Sequence, residues 1–317
     1  MSGAPPVHGR VAVIGTGVIG AGWAALCLAR GLDVVAFDPA PGAAQRLRQA
    51  IDAAWPALTR LGLDQGADRS RLRFATSVAD AVHEAQFVQE SGPEDAALKQ
   101  ALLAELDAAT PTSAPIASSS SGFAPSRIQE MCTVAPQRVL VGHPFNPAYL
   151  IPLVEVVPSP RTDPTVTERC IAFYTRLGMR PVQVRREVPG HLANRLQAAL
   201  WREAYSLVER GVAAVADIDT VIAHGPGLRW ALLGPLVNQH LSGGAGGMTH
   251  TLAHLGPPTQ ALMDDLGEPR LTPQLVSLLV GGVDDELRGI DQARMVEQRD
   301  ELLVLLLQQK ARHNALP

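Results

Sequence analysis

The stretch "RVAVIGTGVIGAGWAA", Arg10 to Ala25, constrains this chain more than any other. A short apolar run with strand character leads into glycines at 15, 17 and 20, and an apolar helical pattern follows, closed by Gly31. That is G-x-G-x-x-G between a strand and a helix, the context that makes the match specific. Gly15 permits a tight turn, Gly17 lets backbone approach a pyrophosphate, and Gly20 lets helix and strand pack closely. Amides around Thr16, Val18 and Ile19 then open the helix with unpaired N–H groups and partial positive charge, which suits phosphate. Asp38 ends the next strand candidate, "DVVAFD", eighteen residues after Gly20. A carboxylate there accepts hydrogen bonds from ribose hydroxyls and repels a 2′-phosphate, which selects NAD over NADP.

The first half of the chain continues to alternate. "LRFATSV", "QFVQES" and "PIASSSS" read as strands. "GAAQRLRQAIDAAWPALTRLG" reads as a helix interrupted at Pro56, and "PEDAALKQALLAELDAA" as another helix. "RVLVGHPF", "IPLVEVV" and "RPVQVRR" extend the sheet. Alternation at this spacing predicts an α/β domain with a Rossmann-type, doubly wound, mainly parallel sheet. Past "RREVPG" strand signals end and long helical patterns take over, beginning with "HLANRLQAALWREAYSLVERG". The expected division is a nucleotide-binding domain over 1–187 and an all-α domain over 188–317.

A length of 317 residues suffices for two such domains. With 27 basic and 31 acidic side chains and no long run of one sign, nothing favours nucleic acid or a membrane surface. No apolar stretch reaches spanning length and the N-terminus lacks a signal-peptide pattern. Cys27, Cys132 and Cys170 are scattered, with neither metal-ligand spacing nor a disulfide framework. The expectation is a cytoplasmic protein without a metal.

Two further stretches carry chemistry. "GHPFNPAYLIPLVEVV", Gly142 to Val157, holds His143 and Glu155 in an otherwise apolar, proline-rich run. Oxidising an alcohol by hydride transfer needs a base for the hydroxyl proton, and histidine titrates near working pH. A buried carboxylate beside it would orient the ring and stabilise the imidazolium. Taken alone, the histidine reads more readily as a core residue than as a base. "ASSSSG", ending at Ser121 and Gly122, follows an apolar strand, where ligands lie in doubly wound sheets; a solvated serine loop reads the same way.

Together, "IGTGVIGAGWA", "ESGPEDAALK", "IASSSSG", "VGHPFNPAYLIPLVEVV", "EVPGHLANRLQAALWREAYSLVERGVA" and "GPGLRW" resemble the 3-hydroxyacyl-CoA dehydrogenase family over essentially the full length. Within it the chain looks most like the short branch of carnitine dehydrogenases and λ-crystallin (gulonate 3-dehydrogenase). The resemblance implies an NAD-dependent dehydrogenase and a homodimer built through the helical domain. It puts the substrate-holding serine at Ser121, the base at His143, its carboxylate at Glu155 and a conformation-setting amide at Asn194. It adds Glu94, Lys99 and Asn146 to the cofactor contacts.

Departures from the family bear on the substrate. CoA-using members have "HFFNP" where this chain has "HPFNP", and commonly a lysine where it has Pro152. The only lysines are Lys99 and Lys310, so none lies within 40–80, where CoA contacts are expected; Arg60, Arg69 and Arg71 are the available substitutes. A small free L-3-hydroxy acid is therefore expected, with L-carnitine, oxidised to 3-dehydrocarnitine, as the leading candidate. Gulonate, a 3-hydroxyacyl-CoA and a non-enzymatic crystallin-like role are the alternatives. Phe145, Tyr149 and Trp230 are aromatic candidates for a quaternary ammonium. Arg229, in what reads as a short "GLRW" turn, is the candidate for the substrate carboxylate. Thr251 occupies a position where an aromatic is expected in carnitine dehydrogenases.

Overall fold

The computed structural model describes residues 9–313 and Leu316. The chain divides into two compact units between Arg195 and Leu196.

The first unit opens with β1 (Arg10–Ile14), α1 (Val18–Ala29), β2 (Asp33–Phe37) and α2 (Ala43–Leu61). Then come β3 (Leu72–Phe74), α3 (Val78–Val82), β4 (Phe87–Glu90), α4 (Ala96–Ala109), β5 (Ile116–Ser118) and α5 (Pro125–Ile128). It closes with β6 (Val139–Pro144), β7 (Leu153–Val157), α6 (Pro164–Arg176) and β8 (Arg180–Gln183). The eight strands form one sheet in the order β3-β2-β1-β4-β5-β6-β7-β8. Every neighbouring pair is parallel except β6 and β7, which the proline-rich loop between them returns antiparallel.

Strand residues alternate between two cores, as a sheet covered on both faces requires. Val11, Val13, Val34 and Ala36 pack beneath α1, α2 and α6, while Ala12, Ile14, Val35 and Val88 pack beneath α3, α4 and α5. α1 is buried on all sides from Gly20 to Ala29, which is why its sequence is apolar all round.

α2 runs unbroken through Pro56, contrary to the interruption read from the sequence. Pro56 is exposed, so the carbonyl it leaves unpaired at Asp52 faces water rather than the core.

The second unit is helical. It contains most of α7 (Ala193–Glu209), then α8 (Val215–His224), α9 (Pro226–Leu233), α10 (Pro235–Ser242), α11 (Gly247–Asp265), α12 (Pro273–Glu286) and α13 (Gln292–Lys310). "GLRW" lies inside α9 rather than in a turn, because Pro226 starts a helix at its first position and Gly234 ends it. Among the described residues, no helix is long and apolar enough to cross a membrane.

Candidate active site

The functional candidates of the first unit collect along the edge of the sheet where the parallel strands end. The loop after β1 is shaped by backbone. Gly15 has φ +86° and donates its N–H to Phe37 O at 2.8 Å. A Cβ on Gly20 would lie 1.9 Å from Gly15 O, so α1 and β1 approach too closely for any other residue. A Cβ on Gly17 would meet nothing within 4 Å, which leaves open space over the first turn of α1. Gly17 is the N-cap of α1 with no side-chain cap, and Val18 is exposed beside it.

The Asp38 carboxylate sits over this loop. Oδ2 accepts from Thr16 N at 2.7 Å and from Thr16 Oγ1 at 3.1 Å, and Oδ1 accepts from Ala40 N at 2.9 Å. Gly15, Gly17 and Asp38 line a cavity of about 900 Å³. The open glycine, the uncapped helix start and the fixed carboxylate fit a dinucleotide with a free 2′-hydroxyl.

His143 lies at the end of β6, directly opposite Glu155 of β7 in the antiparallel register. Both side chains are buried, and His143 Nδ1 is 2.9 Å from Glu155 Oε2. The other oxygen, Glu155 Oε1, accepts from Leu192 N at 2.7 Å and Ala193 N at 2.9 Å, at the start of α7. Burial pushes the Glu155 carboxyl up, but the His143 ring and the Ala193 and Leu192 amides outweigh it and hold it below the usual carboxylate range. An ionised Glu155 makes His143 Nδ1 the donor, which leaves Nε2 as the ring's proton acceptor.

The serine loop is pinned by Glu94. Its Oε1 accepts from Ser120 Oγ at 2.7 Å and from the amides of Ser121 and Gly122, each at 3.0 Å. Partial burial raises the Glu94 carboxyl; the Ser120 hydroxyl, the Gly122 amide, Lys99 and the Ser121 amide lower it further, so it stays ionised. Asn194 Nδ2 donates to Ser121 O at 3.1 Å, tying this loop to α7. Phe145 presents its ring edge-on to His143 at 4.8 Å between centroids. Asn146 is exposed in the same loop, and Tyr149 packs partly against the core.

Lys99 is only 1 % exposed, so it is no surface lysine. Its ammonium bonds both oxygens of Glu90, at 3.0 and 3.1 Å, and Gly92 O at 3.2 Å, with Glu94 Oε2 at 3.5 Å. Glu90 is fully buried, and also accepts from Ser118 Oγ and from Gly92 N at 2.6 Å. Sequence reading missed Glu90, because one acid in "QFVQES" carries no signal of the lysine that meets it.

His191 stands in the "GHLANR" stretch, where the sequence gives it no role. Its ring is fully buried, with Nε2 3.1 Å from Ser120 O and its centroid 5.4 Å from that of His143. Among non-glycine residues described, it alone has positive φ, at 52°.

In the helical unit, Arg229 and Trp230 lie on α9, both exposed, Trp230 at 39 %. Thr251 is buried and bonds Gln239 O at 3.0 Å and Gly247 O at 3.2 Å, a tie between helices. Of the arginines near the region expected for CoA, Arg69 pairs with Asp52 and lies 5.5 Å over the Trp55 ring, and Arg71 pairs with Asp33 at 3.0 Å.

The NAD-binding-domain model of 3-hydroxyacyl-CoA dehydrogenase matches residues 10–188, and that family's C-terminal-domain model matches 190–278. The chain belongs to the 3-hydroxyacyl-CoA dehydrogenase family. It is 50 % identical to L-carnitine dehydrogenase of Streptomyces griseus subsp. griseus over 98 % of this chain and 92 % of that one. It is 46 % identical to L-carnitine dehydrogenase of Bacillus cereus over 94 % and 91 %. Among solved structures it is similar to 5-formyl-3-hydroxy-2-methylpyridine 4-carboxylic acid 5-dehydrogenase, an NAD⁺-dependent dismutase. That match has TM-score 0.84 and 28 % identity, covering 96 % of this chain and 99 % of the other. As a family member with the NAD-binding domain, the chain is an NAD-dependent CH–OH oxidoreductase.

Proposed function

We propose that this protein oxidises the 3-hydroxyl of L-carnitine to 3-dehydrocarnitine with NAD. The observation that carries the chemistry is the buried His143–Glu155 pair, with the free Nε2 of His143 as base. When bound, NAD supplies the hydride acceptor for C3. The residues that would hold it are the amides of the Gly15–Gly20 loop and the carboxylate of Asp38, with Glu94, Lys99 and Asn146 around the reacting end. Lys99 acts there by fixing Glu94 and Glu90 from below, since its own donors are engaged within the protein.

His143 Nε2 takes the hydroxyl proton as the C3–H bond breaks. The imidazolium so formed is held by Glu155, whose charge is fixed by two amides and does not have to reorganise. The Ser121 hydroxyl holds the substrate oxygen, and Asn194 fixes the Ser121 backbone that carries it.

Identity of about half the sequence to L-carnitine dehydrogenases over nearly the whole chain supports carnitine as the substrate. An aromatic face is the usual partner of a quaternary ammonium. We assign that role to Phe145, whose ring lies beside His143, and to Tyr149 of the same loop. The engagement of Arg69 and Arg71 with Asp52 and Asp33 argues against a CoA ester, whose phosphates need uncommitted cations.

Exposed apolar side chains on α12 and α13, among them Leu278, Val280, Leu302 and Leu305, support a homodimer through the helical unit. Three free, buried cysteines suit a reducing cytoplasm.

The test is His143→Gln, assayed by NADH formation from L-carnitine. We expect kcat to fall about 10²–10⁴-fold, the range for loss of a general base, with NAD affinity retained. Near-normal turnover would remove His143 from the role.

A further inference from the structure

The proton relay accounts for His143 and Glu155 but not for a second buried imidazole beside them. His191 has three properties that seldom coincide. It is fully buried, it has φ +52° directly after Gly190 at φ +74°, and its Nδ1 has no hydrogen-bond partner among the described residues. A left-handed non-glycine residue costs energy and persists only where its surroundings hold it. A buried, unpaired ring nitrogen adds a cost of its own.

The neighbours of His191 show what is obtained in return. Ser120 O is an acceptor only, so the 3.1 Å contact makes His191 Nε2 the donor, which in the neutral ring leaves Nδ1 without a proton. The turn is closed by His191 N donating to Val188 O at 3.1 Å. The next two amides, Leu192 N and Ala193 N, converge on one oxygen of Glu155. Thus one residue links the serine loop, the turn before α7 and the carboxylate of the catalytic pair.

We propose that His191 is a positioning residue, whose ring bond to Ser120 O holds the left-handed turn that aims the Leu192 and Ala193 amides at Glu155. This rests on the assignment of His143 as base. The ring acts in its uncharged form, 5.4 Å from His143, where a second positive charge would oppose the imidazolium. Burial keeps His191 below the ordinary histidine range; the Ser120 carbonyl raises it, His143 lowers it, and Glu155 and Glu94 raise it.

The test separates the backbone from the ring. His191→Gly accepts the left-handed conformation but removes the bond to Ser120. His191→Gln keeps a side-chain N–H donor, and His191→Phe keeps ring volume without a donor. Each full-length variant is assayed for kcat, KM for NAD and L-carnitine, and the pH profile of kcat/KM, with melting followed in parallel.

For His191→Gly we expect kcat lowered about tenfold to a hundredfold, as for a displaced catalytic group. KM for NAD should stay within about twofold, the acid limb of kcat/KM should move, and Gln should recover part of the rate. His191→Gly at the parental kcat and pH profile would show that only the backbone conformation matters and would overturn the proposal. Should the glycine variant fail to fold, His191→Phe is read by the same criteria. His143→Gln is assayed alongside: its retained activity sinks the base assignment, whereas an inactive His143→Gln with a fully active His191→Gly sinks only the role of His191.

Discussion

Glu155 divides its two oxygens between a ring nitrogen and two helix-start amides, and the consequences differ. Replaced by Gln, the side chain can still accept from Leu192 and Ala193, but its amide then faces His143 Nδ1 as a donor. Nδ1 must become the acceptor, so the ring proton moves to Nε2, the atom that has to receive the substrate proton. We expect Glu155→Gln to lower kcat by up to about 10⁴-fold, the penalty of a wrong tautomer in a comparable triad. The native carboxyl titrates below its ordinary 4.5, so the stability it contributes is full above about that pH. That stability is lost as pH falls through the depressed native value. In denaturant titrations Glu155→Gln should be about 1–3 kcal/mol less stable than the parent at neutral pH, with the gap closing on acidification. A second expectation concerns Lys99→Met, which leaves Glu90 buried without its cation; urea unfolding should show a loss of about 3–5 kcal/mol. At this scale the sequence exposed His143 and Glu155, because a base and an acid stand out in an apolar run. Glu90 and His191 were not legible, since their partners lie far along the chain and a positive φ at histidine leaves no mark in the residue type.

β6 carries the base, and its position depends on a glycine. A Cβ on Gly142 would lie 2.0 Å from the hydroxyl of Tyr174 on α6, and that hydroxyl donates to Gln89 Oε1 on β4 at 2.7 Å. Strand and helix are therefore packed to the limit directly beside His143. Gly142→Ala should cost about 1–3 kcal/mol by overpacking and lower kcat, as β6 shifts. Adding Tyr174→Phe removes the nearest clashing atom, so a double-mutant cycle by thermal unfolding should give partial rescue. Additive losses would show that the two positions do not meet. Strands and helices of the first unit were legible because strand–loop–helix alternation and the glycine loop enforce each other. The course of α2 through Pro56 was not, because the effect of a proline depends on whether the orphaned carbonyl reaches water. The helical state of "GLRW" also follows from its flanks, Pro226 and Gly234, rather than from its own four residues.

Across the whole molecule, two units differ in how they bury apolar surface. The sheet unit encloses two clusters, whereas in the helical unit the fully buried apolar residues among those described are few, Leu275 and Val304 being examples. The apolar character of "LTPQLVSLLV" and "ELLVLLLQQ" was readable, but one chain's sequence does not say what covers such faces. Light scattering should give the mass of two chains, and replacing Leu278 and Leu302 by Glu should shift the protein towards one. The central claim, oxidation of a small free 3-hydroxy acid by the His143–Glu155 pair, is tested most directly by kcat/KM on one substrate panel with NAD. L-carnitine, gulonate, 3-hydroxybutyrate and 3-hydroxybutyryl-CoA are compared for the parent and His143→Gln. L-carnitine should lead the panel, with that activity lowered about 10²–10⁴-fold in His143→Gln. Activity confined to 3-hydroxybutyryl-CoA, or near-normal carnitine turnover in His143→Gln, would contradict the account.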